Sequence, residues 1–288
     1  MSYLHSFELG TRANRQQTPL TLDEIARYAP SALAVHAHES RSERYTYIPT
    51  IEIIKGMERE GFQPFKASQS SSRIEGKREY TKHMIRFRHQ SASQAMTVGD
   101  SIPEVVLVNS HDGTSAYKLM AGLFRLVCSN GLMVSESELA SISVMHKGNV
   151  LDNVIEGSFS IVEQSQKALD TVNRWTGLQL TSGEQKALAE AAHTVRFADA
   201  EGKVSTPITP DQLLRPRRYD DNGMDLWKTF NRVQENVIKG GLHGVQRDDN
   251  GRRLRAVSTR QVKGIDQDVK LNRALWQLAE RMAELKAA

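Results

Sequence analysis

The sequence predicts an α+β fold: an antiparallel β-sheet of three or four strands with helices on one face, followed by a mainly helical carboxy-terminal region. Three observations support this class. Strand-like runs cluster between residues 62 and 109, helical apolar stripes flank them, and amphipathic helical patterns dominate after residue 158. Strands and helices in separate stretches of the chain are typical of α+β domains.

The composition is that of a folded protein with no disulfide and no membrane span. Of 288 residues, 39% are hydrophobic and 25% are charged, and 38 basic residues against 34 acidic ones give a net charge of +4. Cys128 is the single cysteine, which excludes an intrachain disulfide and disfavours structural zinc. The amino terminus lacks the apolar core of a secretion signal, and no run approaches the roughly 18 apolar residues of a membrane helix. We therefore expect a cytoplasmic protein without a membrane partner.

Three segments are predicted along the chain. Residues 1–47 form a polar amino-terminal arm with one short helix, which Thr21 and Glu24 begin at capping-box spacing. Residues 48–201 form the α+β core domain. Residues 202–288 form a helical region with a basic loop, and a proline-containing stretch marks its start.

Within the core, a helix over 50–60 precedes strands over 62–70, 83–90 and 103–109, and a further strand over 141–147 is left open. After the third strand the sequence predicts a helix over 114–128, with Asp112 or Thr114 as its cap. The reason is a set of apolar residues at helical spacing, namely Ala116, Leu119, Met120, Leu123, Phe124 and Val127.

Helices are predicted over 158–175, 182–197 and 226–239, and again at the end of the chain, with a glycine- and arginine-rich loop over 240–264. Ser182 and Gln185 have capping-box spacing for the second of these. The three tryptophans lie on helical stripes, so we expect them in the core or in subunit contacts rather than as base-stacking platforms.

The first basic cluster lies in and before the second strand. In a strand, Arg86 and Arg88 project to one face and Ile85 and Phe87 to the other, so the arginines are predicted to face solvent and suit phosphates. The alternative is a solvated hairpin whose charges keep a sheet edge soluble. The predicted DNA-contacting residues of this cluster are Arg73, Lys77, Arg78, Lys82, Arg86 and Arg88.

The second basic cluster spans 247–273, and Arg252, Arg253 and Arg255 are its predicted DNA contacts. Nearby glycines allow backbone N–H groups to approach phosphates, although a mobile solvated loop fits equally well. No P-loop pattern occurs, so ATP hydrolysis of that type is disfavoured and no cofactor is expected. A smaller group, Arg215, Arg217, Arg218 and Tyr219, is interpreted as a solvated linker rather than a phosphate contact.

His111 and Asp112 are the strongest enzyme signal. A His beside an Asp occurs in metal-dependent phosphohydrolases, but the sequence shows no partner set of ligands, and capping is preferred. We predict no catalytic residue and no metal site.

Three stretches resemble a phage- and plasmid-encoded family of unknown function, the YafZ/YfjQ-like proteins. They are VNSHDGTSAYKLMAGLFRLVCSNGL, DLWKTFNRVQENVIKGGL and TRQVKGIDQDVKLNRALWQLAE, and the likeness extends from about Arg44 to Leu285. The resemblance implies a place on mobile elements, often beside antirestriction and DNA-repair-like genes.

The order of helix, strands and helix over 50–128 is also similar to single-strand annealing proteins of phages (Redβ, RecT and Erf types). This is a likeness of pattern, and no functional residue is carried over from it. It implies assembly into rings or filaments, with a phage or plasmid exonuclease as a further partner.

The function predicted from the sequence is ATP-independent binding and annealing of single-stranded DNA by a homo-oligomer, in recombination or repair of mobile-element DNA. Two alternatives stay open. One is an antirestriction or anti-defence interaction protein, and the other is a metal-dependent nuclease that uses His111 and Asp112.

Overall fold

The computed structural model describes residues 18–34, 49–72, 78–92, 101–112, 115, 117–125, 130–133, 141–144, 149–248 and 250–287. The chain divides into two compact units, Met1–Lys167 and Ala168–Ala288. This division lies before the boundary at residue 202, which the sequence predicts from the composition of a loop. The three predicted segments stay a prediction. Among the described helices, none is long and apolar enough to cross a membrane.

The first unit begins with two helices that the sequence predicts. Helix α1 is Leu22–Tyr28, and its capping box is confirmed: the Glu24 amide donates to Thr21 Oγ1 at 3.3 Å, and the Thr21 amide donates to Glu24 Oε2 at 2.9 Å. Helix α2 is Thr50–Arg59. It ends before Gly61, whose φ of 84° places it in the left-handed region.

Within the described residues, the sheet of the first unit has six strands, all paired antiparallel, in the order β1-β2-β3-β4-β5, with β6 also paired to β4. The first three strands confirm the predicted ones, and the expected count of three or four was too low. The strands are β1 Phe62–Gln69, β2 His83–His89, β3 Ser101–Asn109, β4 Tyr117–Arg125, β5 Asn130–Met133 and β6 Ile142–Val144.

The predicted helix over 114–128 is wrong, because this stretch contains strand β4. Leu119 and Leu123 on one face are fully buried, and Met120 and Phe124 on the other are 7% and 8% exposed. A strand buried on both faces is a continuous apolar run, which periodicity cannot distinguish from a buried helix. The prediction that Asp112 or Thr114 caps a helix is therefore wrong as well, because a strand follows. Four residues of the predicted helix lie outside the described residues, namely Thr114, Ala116, Val127 and Cys128.

Helices cover one face of this sheet, as predicted. Helix α3 is Val150–Gly177, longer than expected at both ends. A Cβ atom on Gly157 would lie 2.8 Å from Leu119 Cδ1, so glycine permits a close approach of α3 to β4. Phe159 of the same helix contacts Phe62 of β1 with ring centroids 5.0 Å apart.

In the second unit the described residues form the end of α3 and the α-helices α4 Ser182–Phe197, α5 Pro210–Leu213, α6 Leu226–Lys239 and α7 Ile265–Ala287. Its core is an aromatic cluster in which Trp175 lies 4.6 Å from Trp276 and 5.6 Å from Phe230, centroid to centroid. Trp227 stacks on Phe230 at 5.7 Å. The tryptophans therefore lie in the core, as predicted.

Local signals place the ends of these helices. The capping box of α4 is Thr181 with Glu184, one residue before the predicted pair. Helix α6 ends at Gly240, as predicted, and a Cβ atom there would lie 2.7 Å from the Arg260 carbonyl oxygen. The predicted loop over 240–264 contains a hairpin instead, formed by β7 His243–Arg247 and β8 Arg253–Ser258.

Candidate nucleic-acid interface

The two sheet arginines of the first basic cluster are buried. Arg86 and Arg88 are 1% and 3% exposed, and both bind the carboxylate of Glu104 on the neighbouring strand. Arg88 Nε donates to Glu104 Oε1 at 2.9 Å, and Arg86 Nε donates to Glu104 Oε2. The prediction of a solvent-facing guanidinium row is therefore wrong at these positions, because one buried carboxylate holds both side chains inside the protein.

The surroundings of Arg88 are also those of a core residue. Its guanidinium lies over the rings of Phe65 and Phe124, at 4.1 and 3.9 Å from their centroids. Burial lowers the pKa of Arg88. Burial alone would raise the pKa of Glu104, but Arg86 and Arg88 lower it overall. The three charges form a structural ion cluster.

The other members of the first cluster are separated from this pair. Arg73 and Lys77 lie outside the described residues. Arg78 is exposed in a short 3₁₀ turn, Arg78–Tyr80, and Lys82 is half-buried before β2. The structure brings neither side chain together with Arg86 or Arg88 in a shared site.

The second cluster forms an exposed arginine-rich ribbon. Arg252 lies in the turn before β8. Arg253 and Arg255 lie two residues apart on β8, so these two side chains project from the same face of the strand. All three are exposed, and no carboxylate of the described residues forms an ion pair with any of them. Arg255 Nε donates to Gln246 Oε1 across the strand pair at 2.8 Å.

The turn of the hairpin is stabilised by local contacts. Asp248 Oδ1 accepts the amides of Asn250 at 3.1 Å and Arg252 at 2.8 Å. Gly251 has a φ of 76°, and its carbonyl accepts Arg247 Nη1 at 2.8 Å. Asn250–Gly251 is a strong hairpin signal that the sequence interpretation missed, since the flanking residues are charged rather than alternately apolar.

The root of the hairpin is fixed to the helical part of the second unit. Gln212 Nε2 donates to the His243 carbonyl at 2.7 Å, and the Leu242 amide donates to Thr259 Oγ1 at 2.9 Å. A Cβ atom on Gly244 would lie 2.7 Å from the Pro207 carbonyl oxygen, so this close contact requires glycine. The ribbon therefore has a fixed base and an exposed, cationic distal half.

The group Arg215, Arg217 and Arg218 is largely built into the second unit. Arg218 binds both oxygens of Glu235, at 2.6 and 2.5 Å, and also Asp221 at 3.2 Å. Arg217 Nε donates to Asn236 Oδ1 at 2.7 Å. The interpretation as a solvated linker is wrong for Arg217 and Arg218, because both form hydrogen bonds with side chains of α6.

His111 belongs to a buried polar cluster rather than to an open site. Thr50 Oγ1 lies 3.2 Å from His111 Nε2 and 2.9 Å from His83 Nε2. Both rings are inaccessible to solvent. Burial first, and then His111, lower the pKa of His83 to about 3. Within the described residues, no group of three or more His, Cys, Asp or Glu side chains is placed to hold a metal ion.

Comparison with known proteins places this chain among relatives without a described activity. A family described as Domain of unknown function (DUF932) matches residues 37–276. Two proteins of Escherichia coli (strain K12), the UPF0380 proteins YafZ and YfjQ, are each 47% identical over 268 residues, covering 93% of this chain and 93% of theirs. No solved structure matches this chain.

Proposed function

This chain belongs to the DUF932 family, a family of unknown function, and from its own residues we propose that it binds single-stranded DNA without ATP and anneals complementary strands. The observation that carries this proposal is the exposed hairpin, with Arg252, Arg253 and Arg255 on a fixed base. Such a ribbon binds phosphates through guanidinium forks and needs no nucleotide hydrolysis.

The hairpin also exposes an apolar side chain on the face opposite its two strand arginines. Leu254, between Arg253 and Arg255, is 58% exposed on the opposite face of β8. Unpaired bases offer apolar ring faces to a protein, whereas stacked pairs in a duplex hide them. Exposed guanidinium groups and an exposed leucine on one hairpin support single strands as the preferred ligand.

Annealing requires that bases remain available while the backbone is held. A cationic ribbon that contacts phosphates leaves the pairing edges of the bases unoccupied, so a second strand can pair with them. We place this activity in the cytoplasm, in recombination or repair of phage or plasmid DNA, with an exonuclease of the same element as a partner.

The two alternatives have less support. A metal-dependent nuclease would need His111 exposed, and it is buried against Thr50 and His83. No observation on the described residues favours an antirestriction inhibitor over a DNA-binding protein.

The test is charge reversal on the ribbon, Arg253→Glu with Arg255→Glu. We expect the affinity for a 30-nucleotide single strand to fall by about 100-fold or more, because two phosphate contacts become repulsive, on the order of 1.5 kcal/mol each. Fluorescence anisotropy at fixed salt measures it. The matched control is Lys186→Glu with Arg281→Glu, at exposed helical positions outside both basic clusters. Unchanged affinity in the ribbon variant, or tighter binding of duplex than of single strand by the wild type, would contradict the proposal.

A further inference from the structure

A cleft of about 290 Å³ opens at the root of the hairpin, within the second unit. Its lining includes Gln212, Arg215, Arg217, Asn236, Gly241 and His243. The two arginines are its only permanently charged lining residues, and no carboxylate lines it. The cleft is therefore positively charged, and it lies next to the first residue of β7.

The Arg217 guanidinium is held in one orientation in this cleft. Its Nε donates to Asn236 Oδ1 at 2.7 Å, and its Nη2 donates to the Gly240 carbonyl. Asn236 is fixed in turn, because its Nδ2 donates to the carbonyls of Leu213 and Arg215 at 2.9 Å each. The Arg217 side chain is thus already held in position, and its Nη1 takes no part in these hydrogen bonds. Arg217 would therefore lose little side-chain freedom when it binds a ligand.

Arg215 complements this fixed group. Its side chain is exposed, and within the described part of the chain its guanidinium forms no hydrogen bond or ion pair. Two arginines that line one cleft, one held by hydrogen bonds and one without them, suit a tetrahedral dianion or monoanion, which accepts several N–H groups at once. At about 290 Å³ the cleft is at the small end of ligand sites, which suits one phosphate with its attached sugar.

We propose that this cleft binds a phosphate group of the single strand that the hairpin holds, with Arg217 as the donor that internal hydrogen bonds hold in place and Arg215 as the donor without such bonds. The inference rests on the proposed function. It extends the interface from the ribbon to its root, because Gly241, Leu242 and His243 lead from the cleft directly into β7. A terminal phosphate and an internal phosphodiester present the same chemistry to these donors.

The test is Arg215→Gln in the full-length chain, compared with Arg281→Gln on α7, which removes the same charge from an exposed arginine outside the cleft. Affinity for a 30-nucleotide single strand is measured from 50 to 300 mM salt. We expect Arg215→Gln to weaken binding roughly tenfold and to reduce the slope of log K against log salt by about 0.7, the value for one lost phosphate contact. Arg281→Gln should leave the slope unchanged.

Strands with a 5′-phosphate, a 3′-phosphate or neither distinguish the two sources. If the phosphorylated strand loses its advantage in Arg215→Gln, the cleft takes a terminal phosphate; equal losses for all three assign it to the internal backbone. An unchanged slope in Arg215→Gln, while Arg253→Glu with Arg255→Glu abolishes binding, overturns the cleft alone. A wild-type protein that binds no oligonucleotide overturns the cleft and the proposed function together.

Discussion

Arg86 and Arg88 are held inside the protein by one carboxylate and two aromatic rings. Glu104 accepts from both arginines, and Phe65 and Phe124 enclose the Arg88 guanidinium. A buried ion cluster of this kind does little for net stability compared with apolar residues, but removing one member leaves an uncompensated charge. The alternation of Arg with apolar residues in β2 therefore reflects burial on both faces of the strand. Glu104 permits this burial because its carboxylate binds both arginines.

The substitution Glu104→Gln tests this arrangement. It removes the carboxylate that both buried guanidinium groups bind, so we expect the free energy of unfolding to fall by about 3–5 kcal/mol. Urea denaturation followed by circular dichroism measures it. Glu52→Gln is the matched control, since Glu52 forms an exposed pair with Lys55 and should change stability by less than about 1 kcal/mol. A loss for Glu104→Gln as small as in the control would show that the cluster is not buried as described.

His83 gives the first unit a defined pH dependence of stability. Its pKa is about 3 in the folded state, against an ordinary value of 6.5. Because the folded pKa is depressed, the unfolded chain binds the proton first. Stability is therefore full above pH 6.5 and falls as the pH drops from 6.5 towards 3. One proton corresponds to about 1.4 kcal/mol per pH unit within this window.

Denaturation of His83→Gln at pH 7, 6, 5 and 4 isolates this contribution from that of the carboxylates. We expect the variant to lose stability less steeply than the wild type, by up to about 1.4 kcal/mol per unit between pH 6 and 4. His243→Gln, at an exposed position of β7, should follow the wild-type curve. Parallel curves for His83→Gln and the wild type would show that the pKa of His83 is not lowered in the folded protein.

At the scale of elements, the sequence predicts segments that carry their own end signals. Helix α2 is followed by Gly61 and α6 by Gly240, both with positive φ, and both helices were placed correctly. Strand β4 has no such signal, because both of its faces are buried by tertiary packing. The cationic hairpin was missed because charged residues stand on both sides of Asn250–Gly251, although Arg253–Ala256 alternates charged and apolar residues as a strand does.

The candidate interface shows the same limit. Arg252, Arg253 and Arg255 were predicted as contacts from charge alone, and the structure brings them together on one exposed ribbon. Charge together with strand alternation also selected Arg86 and Arg88, which are buried. What separates the two sets is strand register, since Glu104 is placed beside β2 only by the pairing of β2 with β3. Register is set by the whole sheet and cannot be read from either strand in isolation.

At the scale of the whole molecule, one chain offers few phosphate contacts to a DNA strand. The proposed function therefore requires several chains to assemble on that strand. One hairpin presents few arginines, and a small number of phosphate contacts gives weak, salt-sensitive binding. Several chains joined on one strand multiply these contacts, because each further contact becomes intramolecular. The proposed annealing activity thus depends on a homo-oligomer, in a ring or a filament.

This expectation is tested by negative-stain electron microscopy and light scattering of the full-length protein, with and without a 60-nucleotide single strand. We expect rings or filaments, and an affinity for the 60-mer at least about 100-fold above that for a 10-mer, as linked sites require. The ribbon variant Arg253→Glu with Arg255→Glu should lose the dependence on strand length, since each linked site then contributes little. A monomer that binds both lengths with equal affinity would leave strand binding intact and exclude annealing by an assembled array.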